Sequence, residues 1–197
     1  MGLSIHYSGS FNPSASLREM IDEVVEIAKV YHWKYTVYNT VFPENGFIHP
    51  YNENIYGVNF TPPSCEPVSL SFLSNGKIST EWHLRFFGNS NDKDYQKYLY
   101  AVSTKTQYCG IETHMFIIHL LKYISAKYLK KFQLIDEGKY WETGDEKLLE
   151  ATFKRYNDLL DSVSAALEIL PVNTEETIEE HLKRLIDHVN RKQKNDF

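Results

Sequence analysis

The chain has 197 residues, 42% hydrophobic, 24% charged and 14% aromatic, with a formal net charge of −5. That length and composition support a hydrophobic core without disulfide or metal staples, and the acidic balance argues against a molecule built to grip phosphate backbones. The two cysteines, Cys65 and Cys109, are too few for a disulfide framework and read as buried or half-buried thiols of a reducing cytosol. The opening MGLSIHYSGS lacks a basic segment followed by an apolar run. Apolar runs such as MFIIHLL stop far short of a membrane span. The expected setting is the cytoplasm, away from membranes.

LSIHY (3–7) alternates apolar and polar residues and ends at Ser8-Gly9, a short strand. Ser16 and Glu19 have capping-box spacing. After them Leu17, Met20, Ile21, Val24, Ala28 and Tyr31 form one apolar stripe, predicting an amphipathic helix. Trp33, Tyr35, Val37 and Val41 alternate with polar residues as a half-buried strand, and a long Pro/Asn/Gly-rich loop follows at 42–54. Tyr56, Val58 and Phe60 mark another strand, ended by Pro62-Pro63.

EPVSLSFLSNGKISTEWHLRFF (66–87) reads as a hairpin. A three-residue turn at Ser74-Asn75-Gly76, with Gly76 left-handed, pairs Phe72 with Ile78 and Val68 with Trp82. That register puts the apolar residues on one face. It leaves Ser69, Ser71, Ser79, Glu81, His83 and Arg85 on the other, with Thr36 and Tyr38 beside them. A polar break at 88–94 precedes YQKYLYAVSTKTQY, whose later part reads as strand.

IETHMFIIHLLKYISAKYLKKF (111–132), opened by Gly110, predicts a deeply packed helix with Lys127, Lys130 and Lys131 at its C-terminal end. Leu149, Phe153, Tyr156, Leu160, Val163, Leu167 and Leu170 then form a helical seam, stopped by Pro171. A last helix starts over Asn173–Glu176, with Ile178, Leu182, Leu185, Ile186 and Val189 inward and a frayed tail. The order predicts an α+β fold: one curved antiparallel sheet with helices on one face, TATA-binding-protein-like or helix-grip in order, then a C-terminal helical hairpin. The expected division is a sheet domain over 1–135 and a helical extension over 136–197, packed on the same domain.

Three places could carry function. The run DEGKYWETGDEKLLE (136–150) gathers acids around Tyr140-Trp141. Thr143 and Glu146 have capping-box spacing, so helix initiation accounts for part of it, with the aromatics anchoring a loop. Alternatively, Trp141 beside a carboxylate raises its pKa, making Asp136, Glu137 or Glu142 an acid/base, with His114 as a partner. The calcium-loop spacing is absent and no metal is expected.

The second place is TKTQYCGIETHMFIIH (104–119), a helix start where Cys109 and His114 lie close in sequence. There His114 and His119 are not spaced as a helical zinc pair, while Glu112 and His119 share a face. The third is the polar sheet face with Ser69, Ser71, Glu81, His83 and Arg85, a platform for a protein or ligand. The runs TKTQYCGIETH and DEGKYWETGDE, with the HYSG start, resemble uncharacterised bacterial proteins of similar length. That resemblance covers most of the chain, implies no activity, and implies that the two runs meet in space.

No P-loop, dinucleotide fingerprint, zinc cluster or nucleophile elbow is present. The leading expectation is a non-enzymatic module that binds a protein partner, without a cofactor. A small hydrolase or transferase is the runner-up, and a nucleic-acid-binding sheet platform comes third.

Overall fold

The computed structural model describes residues 2–48, 50–88, 92–170 and 176–195. In chain order the elements are β1 (Ser4–Phe11), α1 (Leu17–Val30), β2 (Lys34–Val37), β3 (Tyr56–Thr61), β4 (Val68–Phe72), α2 (Glu81–Phe87) and α3 (Lys93–Tyr98). They continue with β5 (Val102–Lys105), α4 (Ile111–Tyr128), β6 (Leu129–Asp136), α5 (Tyr140–Thr143), α6 (Glu146–Ile169) and α7 (Ile178–Asn195). The chain divides into a unit over residues 1–149 and a helical unit over 150–197.

The fold is α+β, but the single curved sheet is overturned. The described strands form two three-stranded antiparallel sheets, ordered β5-β1-β6 and β2-β3-β4. The TATA-binding-protein-like and helix-grip orders fall with it. One cause is β6. Its lysines read as the basic end of the long helix, yet α4 stops at Tyr128 and the chain enters a strand directly. Leu129 to Asp136 then pairs along β1, from Phe11↔Leu129 to Ile5↔Asp136, making β1 the middle strand of its sheet. Local propensity is a weak prior where a partner edge stands ready.

α1 forms as its pattern dictates. Ser16 caps it by accepting from the Glu19 N–H, and Leu17, Met20, Ile21, Val24 and Ala28 are buried, packing mainly on β3. Tyr31, expected in the stripe, is half exposed. The turn after β4 also follows the sequence. Phe72 pairs with Ile78, Gly76 has φ +78°, and the Leu73 N–H donates to the Lys77 carbonyl at 3.0 Å. Beyond it the hairpin fails. Glu81–Phe87 is a helix, α2, capped by Thr80, whose side chain accepts from the His83 N–H. Leu84 and Phe87, three apart and so on one helical face, pack against the Ile55, Leu73 and Leu99 cluster. Trp82 and Phe86 are left 68% and 61% exposed, so the expected Val68–Trp82 pair does not form.

The wet second face is also corrected at β4, where all five residues are buried. Ser71 donates to the Ser79 carbonyl at 2.7 Å and Ser79 to the Leu99 carbonyl at 2.8 Å, so both hydroxyls are inside and satisfied. The outer edge of β4 is closed by Tyr7 of β1, whose hydroxyl donates to the Ser69 carbonyl and accepts from its N–H. Burial pushes the Tyr7 pKa up to about 12, and the phenol stays a donor.

In the 150–197 unit, Ala166 and Leu185 are buried with Leu159, Val163 and Leu170 against them. Ile178, Leu182 and Ile186, expected inward, are exposed. The helix α7 is started by Thr177, which accepts from the Glu180 N–H while Glu180 accepts from the Thr177 N–H. The expected stop at Pro171, the start at Asn173, the Val189 side chain, the end of the tail and part of the 88–94 break lie outside the described residues.

Candidate functional site

The two runs singled out in the sequence do meet. Asp136 ends β6 and His114 sits one turn into α4; both side chains are fully buried, with His114 Nε2 3.2 Å from both carboxylate oxygens. The chain bends sharply after β6, and Asp136 gathers its donors. Oδ1 accepts from the Gly138 N–H at 2.7 Å, and Oδ2 accepts from the N–H groups of Tyr140 and Trp141 at 2.8 and 3.0 Å. On the other side of the imidazole, Nδ1 lies 2.8 Å from the Thr106 hydroxyl. Burial acts to raise the Asp136 pKa, but His114 and the backbone donors prevail and hold it below the ordinary carboxylate value.

An acid/base centre needs its carboxylates and imidazole around one accessible point. Glu137 instead lies at the surface, accepting from the Ser4 N–H at 2.7 Å and facing His6 at 3.5 Å. Glu142 and Glu112 are exposed. His119 lies 3.2 Å from the hydroxyl of buried Tyr140 and so is not committed to Glu112. Trp141 sits edge-on to Phe132, with Lys122 over its ring. The cluster therefore ties β6, the segment after β5, α4 and α5 together, an internal brace rather than a place for substrate. The predicted Thr143 cap is also reassigned. Thr143 accepts from the Asp145 N–H, and it is Asp145 that caps α6 by accepting from the Leu148 N–H.

A different part of the expected polar platform does form a concave site. Across β2, β3 and β4 the register aligns Thr36 with Asn59 and Asn59 with Ser69, and puts Lys34 opposite Thr61. Side chains two apart on a strand share a face, so Tyr38 joins them. These residues floor a groove of about 380 Å³, walled by Thr80, Glu81, Trp82 and His83 and by Glu66 and Pro67. A groove of that volume falls in the range of ligand sites.

Of the platform residues named from sequence, Ser69, Glu81, His83, Thr36 and Tyr38 line the groove. Ser71 and Ser79 are fully buried, and Arg85 is exposed on α2 without lining it. Asn59, Trp82 and Lys34 were missed. The polar residues of β3, Asn59 and Thr61, in alternation with buried Val58 and Phe60 were the available signal for Asn59.

The chemistry of the groove is uneven. Asn59 donates its amide to the Tyr38 hydroxyl at 3.1 Å, while its Oδ1 is buried with no hydrogen-bond partner among the described residues. An unmet buried acceptor is costly, by about 1–3 kcal/mol, until a donor arrives. Burial, then the nearby Glu81 charge, raises the Tyr38 pKa, so it remains a phenol. Burial lowers that of His83, favouring the neutral imidazole.

No protein-family model, curated protein or solved structure matches this chain. Among the described residues, no helix is long and apolar enough to cross a membrane, and no three His, Cys, Asp or Glu side chains gather as a metal site. The groove opens beside β2, an edge strand whose four residues are all exposed.

Proposed function

We propose that this chain is a non-enzymatic binding module that adds an extended segment of a protein partner to the outer edge of β2. A side chain of that segment, bearing an N–H donor, enters the groove. The observation that carries this is the juxtaposition of an outer strand edge, open among the described residues, with a groove lined by Glu81 and by Asn59, whose buried Oδ1 lacks a partner there. Among the described residues, β2 pairs on one side only, with β3. In an antiparallel ladder the backbone groups of alternate residues point outward. The Tyr38 N–H donates to the Gly57 carbonyl, so the alternation turns Tyr35 and Val37 toward the open edge. An added strand gains affinity from main-chain hydrogen bonds and specificity from side-chain pockets. Residues directly across from Thr36 and Tyr38 share their face and so meet the groove. There Asn59 Oδ1 and the Glu81 carboxylate favour lysine, arginine or a side-chain amide, and Trp82 offers an aromatic wall.

The test is selection of a random-peptide library on the whole chain, with the recovered peptides then titrated in solution. The expected peptides are extended and carry a basic or amide side chain at a fixed position. Val37→Pro removes an outward N–H, which an edge strand tolerates, and is expected to weaken binding about tenfold or more, the loss of one backbone hydrogen bond plus the ring's obstruction. Glu81→Lys is expected to weaken it further. Peptides that bind the Val37→Pro chain as tightly as the original would refute the reading.

A further inference from the structure

The two cysteines lie on different elements that the fold brings to one point. Cys65 is in the loop between β3 and β4, and Cys109 is in the turn between β5 and α4. The loop is fastened to the end of β5 by two hydrogen bonds, one through the Glu66 backbone and one through its carboxylate. The Glu66 N–H donates to the Lys105 carbonyl at 3.3 Å, and the Lys105 N–H donates to Glu66 Oε2 at 2.8 Å. Cys65 Sγ reaches the Lys105 carbonyl at 3.5 Å, and Cys109 Sγ reaches the next carbonyl, Thr106, at 3.1 Å. The thiols thus converge on the carbonyls of two consecutive residues, Lys105 and Thr106. Both are free and only partly buried, so a small reagent can approach.

We propose that Cys65 and Cys109 form a reversible dithiol–disulfide site, oxidised by small-molecule disulfides. Their chemistry divides between the two sulfurs. The neighbouring Cys65 thiol, helped by the Cys109 backbone N–H and opposed by burial, lowers the Cys109 pKa, while Cys109 and burial raise that of Cys65. Cys109 is therefore the attacking sulfur, since the thiolate is the nucleophile. Its thiolate displaces one thiolate from the small disulfide and forms a mixed disulfide. Cys65 then loses its proton to solvent and attacks the Cys109 sulfur, expelling the second thiolate. In balance, the protein dithiol gives up two protons and two electrons, and the small disulfide becomes two thiols. The new bond ties the loop carrying Glu66 and Pro67, one wall of the groove, to the start of α4. The site stands whether or not a peptide is captured at β2.

The test is equilibration of the native chain in glutathione/glutathione-disulfide mixtures, acid quenching, and intact-mass and peptide analysis. The expected result is one transition from dithiol to an intramolecular disulfide, with two hydrogens lost and no glutathione retained. Cys65→Ser and Cys109→Ser each retain one glutathione. The equilibrium constant for ring closure in the native chain is expected to exceed that of the urea-unfolded chain by about tenfold or more, because folding raises the effective concentration of one thiol at the other. Glutathione retained on the original chain, persistence of both thiols in the most oxidising mixture, bonds only between molecules, or equal constants for native and unfolded chains would each overturn the site.

Discussion

At the scale of residues, the buried Asp136–His114 pair is the most demanding feature of the molecule. Removing one member leaves the other without its partner in a dry interior, so Asp136→Ala or His114→Ala is expected to cost about 3–5 kcal/mol in denaturant unfolding. The pH dependence follows from the direction of the Asp136 shift. Its folded pKa lies below the ordinary 3.8, so the unfolded chain takes up the proton first as pH falls. The stabilisation is complete above that value and is lost as pH drops through the folded pKa. Unfolding midpoints measured down to the acid limit should show this decline, and Asp136→Asn should flatten it. Gly138 belongs to the same brace. A Cβ there would lie 2.6 Å from Leu149 Cδ1 and 3.1 Å from Asp136 Oδ1 and His114 Nε2. Gly138→Ala is expected to destabilise by about 1–3 kcal/mol, as overpacking does, read from the same titration.

At the scale of elements, α2 and β6 show why local pattern misleads. In 81–87 the apolar residues fit both periods. Trp82, Leu84 and Phe86 alternate as a strand, and Leu84 and Phe87 recur as a helix. The Ile55, Leu73 and Leu99 cluster selects the second set, and the Thr80 cap confirms the helical start. Thr80→Ala is expected to cost about 0.5–2 kcal/mol and to lower helicity by circular dichroism without unfolding the sheets. β6 was hidden for a different reason. A strand is defined by its partner, and the pairing of Leu129–Asp136 with β1 spans more than a hundred residues of intervening chain in each register pair. By contrast α1 and the Ser74–Gly76 turn were legible, because capping, periodicity and a left-handed glycine act within a few residues.

At the scale of the whole molecule, the two units differ in how much core they own. Residues 1–149 hold the buried β1, α1, β3, β4 and α4 side chains, whereas in 150–197 the hydrophobic cluster rests on Ala166 and Leu185. Protection from exchange tracks buried contacts. Hydrogen-exchange mass spectrometry is therefore expected to show α7 amides exchanging well before those of β1 and β4. Equal protection across both units would contradict the small core assigned to 150–197. The candidate site is likewise a whole-molecule product. Lys34, Asn59, Ser69 and His83 come from four elements, and only Thr36, Tyr38, Ser69, Glu81 and His83 could be gathered in advance through the strand alternation of the polar face.

The amino-acid pattern alone settled what short-range physics controls: the α1 helix and its Ser16 cap, the β3 and β4 strands, and the Gly76 turn. Tertiary structure decided the rest. Two sheets replaced one because β6 found the open edge of β1, and Asp136 turned inward because His114 and three backbone N–H groups were there to receive it. Packing of α2 over the polar face made a groove of what would have been an open surface. Each of those outcomes depends on which distant groups are close enough to exclude water, and that proximity is set only when the chain has closed on itself.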